Sequence, residues 1–377
     1  MKQGWVDKTL GETCEIYQPK TITGKDLVED GLYPVFGANG IIGRYDKYNH
    51  EHPQLLVTCR GATCGTINVS EPYSWITGNA MVVRPKSNSI DFKFLEYALR
   101  GGVDMQKAIT GAAQPQITRA NLSPLTFSYP ISIHEQRRIV DLLSRAEGIV
   151  RLRREAEKKA AELIPALFLD MFGDPATNPK GWPTQSIKNL VTFVSGGTPS
   201  KSRDDFWVGD LPWVSPKDMK RVGIEDAIDH VNRKVLTETS IKLIPLGSVL
   251  IVVRGMILIH TVPVGLSLVP LTINQDMKAL VPNEAVVGDY LLWLLKVSQP
   301  RLLGMVATAA HGTKKLETED LERFVIPIPP VTKQNEFIHR VREIESIQSQ
   351  QSFATAKAQA TFDALLAQVF QRTEQAA

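Results

Sequence analysis

NLSPLTFSYPISIHEQRRI, residues 121–139, has a counterpart near the other end of the chain in DLERFVIPIPPVTKQNEFI, residues 320–338. Leu122 matches Leu321, Pro130 matches Pro329 and Ile139 matches Ile338, all at one separation (321 − 122 = 199). A turn and the helix entry behind it therefore recur in register. A long-period repeat of this kind dictates architecture before any single motif does.

Residues 1–133 read as a mixed, strand-rich domain. QLLVTCRG (54–61), CGTINVS (64–70) and NAMVVRPK (79–86) are short runs rich in Val, Thr and Ile, bounded by Gly, Pro and Asn. One helix interrupts them: DFKFLEYALRG (91–101) starts at a capping Asp91, puts Phe94, Leu95, Ala98 and Leu99 on one face, and stops at Gly101-Gly102. Residues 179–331 repeat the order with GSVLIVVRG (247–255), TINQDMKALVPN (272–283), the helix GDYLLWLLKVS (288–298), a Gly-containing loop and a Pro-rich exit. Arg60-Gly61 corresponds to Arg254-Gly255 at an offset of 194, and Asn79 to Asn274 at 195, so insertions separate these landmarks from the 199 register. Between landmarks the two halves share little, which suggests one scaffold with two specificities in its loops.

Each domain runs into a helix with heptad spacing. Ile139, Ala146, Arg153, Ala160 and Leu167 form one line and Leu142, Ile149, Ala156 and Leu163 the other. The helix is about 35 residues or roughly 50 Å long. Pro165 is expected to kink or end it, offsetting the last turn, ALFLDMFGD (166–174). In 332–371 the lines are Phe337, Ile344, Gln351, Ala358 and Leu365 with Ile347, Ala354 and Thr361 between. Ala156 and Ala160 facing Ala354 and Ala358 would let two backbones approach closely as an antiparallel pair. The alternative is that each helix packs on its own domain.

With 377 residues, 43% hydrophobic and 22% charged, the chain can fill two or three ordinary cores and reads as soluble and globular. Its start, MKQGWVDKTLGE, has no apolar signal core, and no stretch approaches the ~20 apolar residues of a membrane span, so a cytoplasmic location with no membrane partner is expected. Three cysteines, Cys14, Cys59 and Cys64, do not make a disulfide framework. The net charge is only +3 and no segment is strongly basic, so nucleic-acid binding would need local clustering of cations or help from partner proteins.

Taken together these features resemble the specificity subunit of type I restriction-modification enzymes. The resemblance is carried by Gly4-Trp5 and Gly181-Trp182 opening the domains, SGGTPSKS (195–202), the Arg-Gly pairs, PISIHEQRRIVDLL and PIPPVTKQNEFI leading into the helices, and the paired endings ALFLDMFGD and ALLAQVFQR (364–372). It covers nearly the whole chain. It implies an α+β fold: two similar mixed α/β target-recognition domains (1–133 and 179–331) separated by two long helices (in 134–178 and 332–377) that pair as an antiparallel coiled coil, a pseudo-twofold internal repeat. It also implies double-stranded DNA as ligand, two methyltransferase (modification) subunits and restriction/translocase subunits as partners. No cofactor is expected in this chain; S-adenosylmethionine, ATP and magnesium would sit on the partner subunits. One departure stands out: the first domain has IYQPKTITG (16–24) where the second has SGGTPSKS, so loop contacts do not carry over to it.

Reading bases needs side chains that present donor and acceptor pairs, Arg for guanine and Asn or Gln for adenine, with Lys, Ser and Thr on phosphates. The first domain offers Arg44 and Lys47 in FGANGIIGRYDKYNHE (36–51), Arg60, and Gln114, Gln116 and Arg119 in GAAQPQITR. The second offers Thr198, Ser200, Lys201, Arg203, Lys217, Arg254, and His311, Lys314 and Lys315 in HGTKKLE. The matched loops GAAQPQIT and HGTKKLET differ completely in chemistry, as two unlike half-sites require. For any one of these residues the plain alternative is a solvated charge, and Arg60 and Arg254 at strand ends could instead pair with a carboxylate.

Enzymatic readings fail on spacing. GGTPSKS lacks the G-x-x-x-x-G-K-[ST] pattern of a phosphate loop, and IPIPPV is not the Asn/Asp-Pro-Pro-aromatic signature of amino-methyltransferases. Cys59 and Cys64 with His50 and His52 lack a second pair at zinc spacing. His134-Glu135 and His339 have no third partner for a triad. A non-catalytic DNA-recognition subunit is the leading expectation, and a stand-alone two-headed binding or scaffold module the alternative.

Overall fold

The computed structural model describes residues 3–111, 114–308 and 312–370. They fall into two compact units, one made of residues up to Glu155 together with those from Ser352 onward, the other of Ala156–Gln351.

In the first unit, strands Cys14–Tyr17, Ala80–Pro85, Leu55–Thr58 and Ile67–Val69 form an antiparallel sheet in that spatial order. Its central strands are apolar without alternation because both faces are covered. Leu55, Val57, Met81 and Val83 face a core with Phe94, Leu95 and Ala98, while Leu56, Ala80 and Val82 meet Phe36 and Ile76 of a second, three-stranded sheet. The helix Phe92–Gly101 starts where the sequence indicates: the Asp91 carboxylate accepts from the Lys93 and Phe94 N–H groups. Strand Trp5–Thr9 pairs with Thr126–Pro130 and closes the domain.

The second unit rebuilds this plan. Val191–Ser195, Met277–Pro282, Val249–Val252 and Val264–Ser267 make the corresponding sheet, with Gly223–Ile224 added at its edge. Helix Gly288–Val297 covers it, and Thr184–Ser186 pairs with Val325–Pro327. The pairings fix the local offsets. Leu55 opposite Val83 becomes Val249 opposite Leu280, which is 194 on one strand and 197 on the next. Asn79 therefore corresponds to Asp276, not to Asn274: the Cys59 N–H donates to the Asn79 carbonyl and the Val253 N–H to the Asp276 carbonyl.

The helix entry also shifts by one. Gln136 Oε1 accepts from the Asp91 N–H while its Nε2 donates to the carbonyls of Ser89 and Pro130. Gln334 makes the same three bonds to Val287, Ala285 and Pro329. Pro130 and Pro329 keep the 199 offset, but the glutamines stand at 334 − 136 = 198, so Ile139 matches Phe337 rather than Ile338.

The long helices span Ile133–Ala160 and Val331–Phe370. Only one of the two expected apolar lines of the first is turned inward. Gln136, Ile139, Leu143 and Val150 are buried with Ala146 packed beside them, whereas Leu142, Ile149 and Leu163 are 48%, 52% and 51% exposed. Docking on Phe94 and Tyr97 selects the buried face. The helix breaks after Ala160 and resumes as Leu163–Phe172, with Pro165 in the new first turn, where its missing N–H costs nothing. In the last helix Gln334, Phe337, Ile338 and Val341 are buried in the second unit's core, and Phe362 and Phe370 in the first unit's; Ile347 is exposed.

Candidate nucleic-acid interface

Each unit ends its central strand in an Arg-Gly pair, and the loop ahead of the exit strand folds back onto it. In the first unit the Ile117 N–H donates to the Cys59 carbonyl at 3.0 Å, the Gly61 N–H donates to the Pro115 carbonyl at 3.1 Å, and Arg60 and Gln116 form an isolated antiparallel bridge. In the second, Leu316 donates to Val253 at 2.9 Å, Gly255 to Lys314 at 3.0 Å, and Arg254 bridges Lys315. Gly61 and Gly255 have φ of +84° and +132°, which only glycine adopts without strain. The backbone of this bridge is conserved between the units while its side chains change. Its register sets Thr118 against Glu317, each the N-cap of a short helix, so GAAQPQIT and HGTKKLET align one residue away from their end-to-end match.

A second loop meets each bridge. The Gln18 amide donates to the Gly78 carbonyl in the first unit. In the second, Thr198 donates to the Gln275 side chain, beside Asp276, and Lys278 donates to Ser195. Gly196 lies so close to Asn274 that a Cβ there would meet its carbonyl oxygen at 1.8 Å, which explains a glycine in SGGTPSKS.

The expected residues thus divide. Arg60, Gln114 and Gln116 come together in the first unit with their residues exposed, and Arg119 follows at the start of the short helix Arg119–Leu122. Thr198, Arg254, Lys314 and Lys315 gather in the second, and Ser200 and Lys201 lie on the same loop as Thr198, where Ser200 Oγ meets Ser202 Oγ at 2.8 Å. Lys314 donates to Thr308. His311 lies outside the described residues.

Others lie elsewhere or are already engaged. The Arg44 guanidinium donates to the carbonyls of Gly31 and Leu32 and so holds a turn. Lys47 is exposed on the loop after strand Gly40–Tyr45. Arg203 is held by Asp205 and Glu238 and stacks on Phe206, and the hydrogen bonds it donates to those carboxylates push its pKa up. Lys217 pairs with Asp229 at 2.8 Å, which raises its pKa, and it lines a separate groove with Lys220, Arg221 and Glu345.

Charge at the two bridges is unequal. Arg254 Nη1 lies 3.9 Å from Asp276 and Lys315 Nζ 2.6 Å from Glu317. At the matching places in the first unit stand Asn79 and Thr118, and Arg60 has no ion pair among the described residues. Asp276 and Glu317 escape a reading for cations; only the corrected register brings them into view. Among the described residues no group of three or more His, Cys, Asp and Glu side chains is placed to hold a metal, and burial pushes the Cys59 thiol up, away from the reactive thiolate.

A family model described as the type I restriction modification DNA specificity domain matches residues 2–162 and 179–351, most of the chain in two copies. The chain belongs to this DNA specificity family. Its relatives include the EcoR124I/EcoR124II specificity subunit of Escherichia coli, 33% identical over 164 residues, which is 43% of this chain and 41% of that protein. The MjaIX specificity subunit of Methanocaldococcus jannaschii is 28% identical over 162 residues, 41% of this chain and 36% of that protein. The matched region is thus about two fifths of the length of these curated relatives. Among solved structures, one described by complex assembly and conformational transition of the type I R-M system has a TM-score of 0.66 at 18% identity, covering 98% of both chains. The S subunit of the type I restriction-modification system from M. genitalium has a TM-score of 0.58 at 15% identity over 98% of this chain and 96% of that one. These two likenesses establish the α+β fold of a specificity subunit. No helix among the described residues is long and apolar enough to cross a membrane.

Proposed function

We propose that this chain is the non-catalytic DNA-recognition subunit of a type I restriction-modification complex, each domain reading one half of a bipartite site. The observation that carries this reading is the repeated bridge, the same backbone hydrogen bonds presenting Arg60 and Gln116 in one unit and Arg254 and Lys315 in the other. Rigid framework with exchanged side chains is what two unlike half-sites on double-stranded DNA require. Arg60, Gln114, Gln116 and Arg119 would read the first half, and Thr198, Ser200, Lys201, Arg254, Lys314 and Lys315 the second, with Lys47 on phosphate.

On this reading 1–133 and 179–331 are the target-recognition domains, and the helices in 134–178 and 332–377 form an antiparallel spacer that docks two adenine methyltransferase subunits and, through them, restriction/translocase subunits. Support comes from within each unit: Arg154 donates to Gln359 in the first, and Gln348 donates to the Ala160 carbonyl in the second, so rising numbers on one helix meet falling numbers on the other. S-adenosylmethionine, ATP and magnesium belong to those partners. The near-neutral charge of the chain favours shared phosphate contact with them.

The methylation pattern of cells producing this chain with its modification subunits tests the proposal. Two short defined sequences around an unspecified spacer are expected. A continuous motif, or none with an active methyltransferase, would sink it.

A further inference from the structure

The two bridges share a backbone and differ in carboxylates. Arg254 and Lys315 each have one beside them, Asp276 at 3.9 Å and Glu317 at 2.6 Å. The register-matched residues of the first unit, Asn79 and Thr118, carry no charge, and Gln116 replaces Lys315. The first bridge therefore presents the Arg60 donors and the Gln116 amide with no ion pair to Arg60 among the described residues. The second presents cations and carboxylates together, and at 29% and 40% exposure the side chains of Asp276 and Glu317 remain accessible to a ligand.

We propose that Asp276 and Glu317 are specificity-determining residues of the second domain, and that the two bridges read opposite kinds of base edge. Arg60 and Gln116 take a purine edge, since guanine O6 and N7 accept from arginine, and the N7 acceptor and N6 amino donor of adenine suit glutamine. The second bridge takes a cytosine N4 amino group on a carboxylate, with Arg254 or Lys315 released to the neighbouring guanine or to a phosphate. A carboxylate facing the duplex repels its phosphates, so it is tolerated at a DNA surface only where it is held by a cation and given a donor to accept from. The cation stands beside Asp276 and beside Glu317, and the cytosine amino group would be the donor; Asn79 and Thr118 carry no charge that needs either.

This inference rests on the bipartite reading above, and its test separates the two. The second bridge is converted to the chemistry of the first by Asp276→Asn and Glu317→Thr, singly and together. Threonine is itself a good N-cap, so the short helix Thr318–Glu322 keeps its start. The full chain, co-produced with its modification subunits, is then read out twice: by the methylation motif, and by the salt dependence of its binding to duplexes with and without that motif. The expected result is a second half-site that relaxes or changes at one or two base pairs, an unchanged first half and spacer, and binding to non-cognate duplex that strengthens severalfold at low salt because a repelling charge is gone. Conversely, Asn79→Asp should alter the first half alone. Unchanged half-sites and unchanged salt dependence in variants that melt like the parent would overturn the assignment while leaving the bipartite reading standing. A parent chain with no bipartite motif would overturn both.

Discussion

Gln136 and Gln334 are each fully buried at the start of a long helix, and each satisfies one backbone N–H and two carbonyls of the domain before it. Burying an amide is unfavourable unless its polar atoms are paired, and here each side chain pairs its oxygen with one N–H and its nitrogen with two carbonyls. Gln136→Leu strands the Asp91 N–H and the Ser89 and Pro130 carbonyls. We expect it to cost roughly 2–4 kcal/mol, read as a lower midpoint in urea, and an unaltered midpoint would refute the clamp. Gln334→Leu should behave alike. Both residues lie inside the stretches that reveal the repeat, yet a constant offset sets Gln136 against Asn335 and hides their equivalence. One residue is lost between the proline and the helix, and only hydrogen-bond partners locate the gap. The same limit hid Asp276, because the neighbouring Asn274 is the better letter match to Asn79 while the backbone register selects the aspartate.

Where the helix of each domain meets its long helix, the charges are reversed. In the first unit Glu147 accepts from Tyr97 and Arg100 and lies 3.4 Å from Lys93. Burial alone would push the Glu147 carboxyl up, but hydrogen bonds from Tyr97 and Arg100 and the charges of Lys93 and Arg100 hold it below the usual range. The counterpart of Glu147 at the 198 offset is Glu345, where desolvation and then the charge of Asp289 push the carboxyl up, against Arg342. The signs follow. A depressed carboxyl stabilises the fold above its unfolded pKa of about 4.3 and loses that contribution as pH falls through the lower folded value. A raised one costs stability at neutral pH, and the cost disappears as pH falls through its folded value toward 4.3. Glu147→Gln should therefore destabilise at pH 7 and become neutral in acid, whereas Glu345→Gln should stabilise at pH 7 and lose its benefit near pH 4. Denaturation midpoints at the two pH values check both, and equal effects of the two substitutions at pH 7 would contradict the assignment. At this scale the strands and the short helix were legible because apolar runs between turn residues leave little choice. The phase of the long helix was not, since Ile139 with Ala146 and Leu142 with Ile149 are equally good apolar lines in sequence, and docking on Phe94 and Tyr97 picks the first.

For the molecule as a whole, the duplication was legible because a repeat needs only letters to be seen, whereas the distance between the two DNA readers proposed above would be a property of helix geometry. If the long helices form the proposed antiparallel spacer, seven residues inserted into each lengthen it by about 10 Å at 1.5 Å per residue, close to three base pairs of duplex. Three base pairs also rotate the second half-site by more than a quarter of a turn, so a single added heptad should give a motif with each half unchanged, a spacer about three base pairs longer and slower methylation, because one reader no longer meets the face it is aimed at. Three added heptads, about 31 Å, come near the 34–36 Å of a full helical turn. They should return methylation toward the parent rate at a spacer longer by roughly nine or ten base pairs. A spacer that ignores both insertions would remove the helices from the role of ruler, and half-sites that change with them would mean that the readers are not independent of the rod.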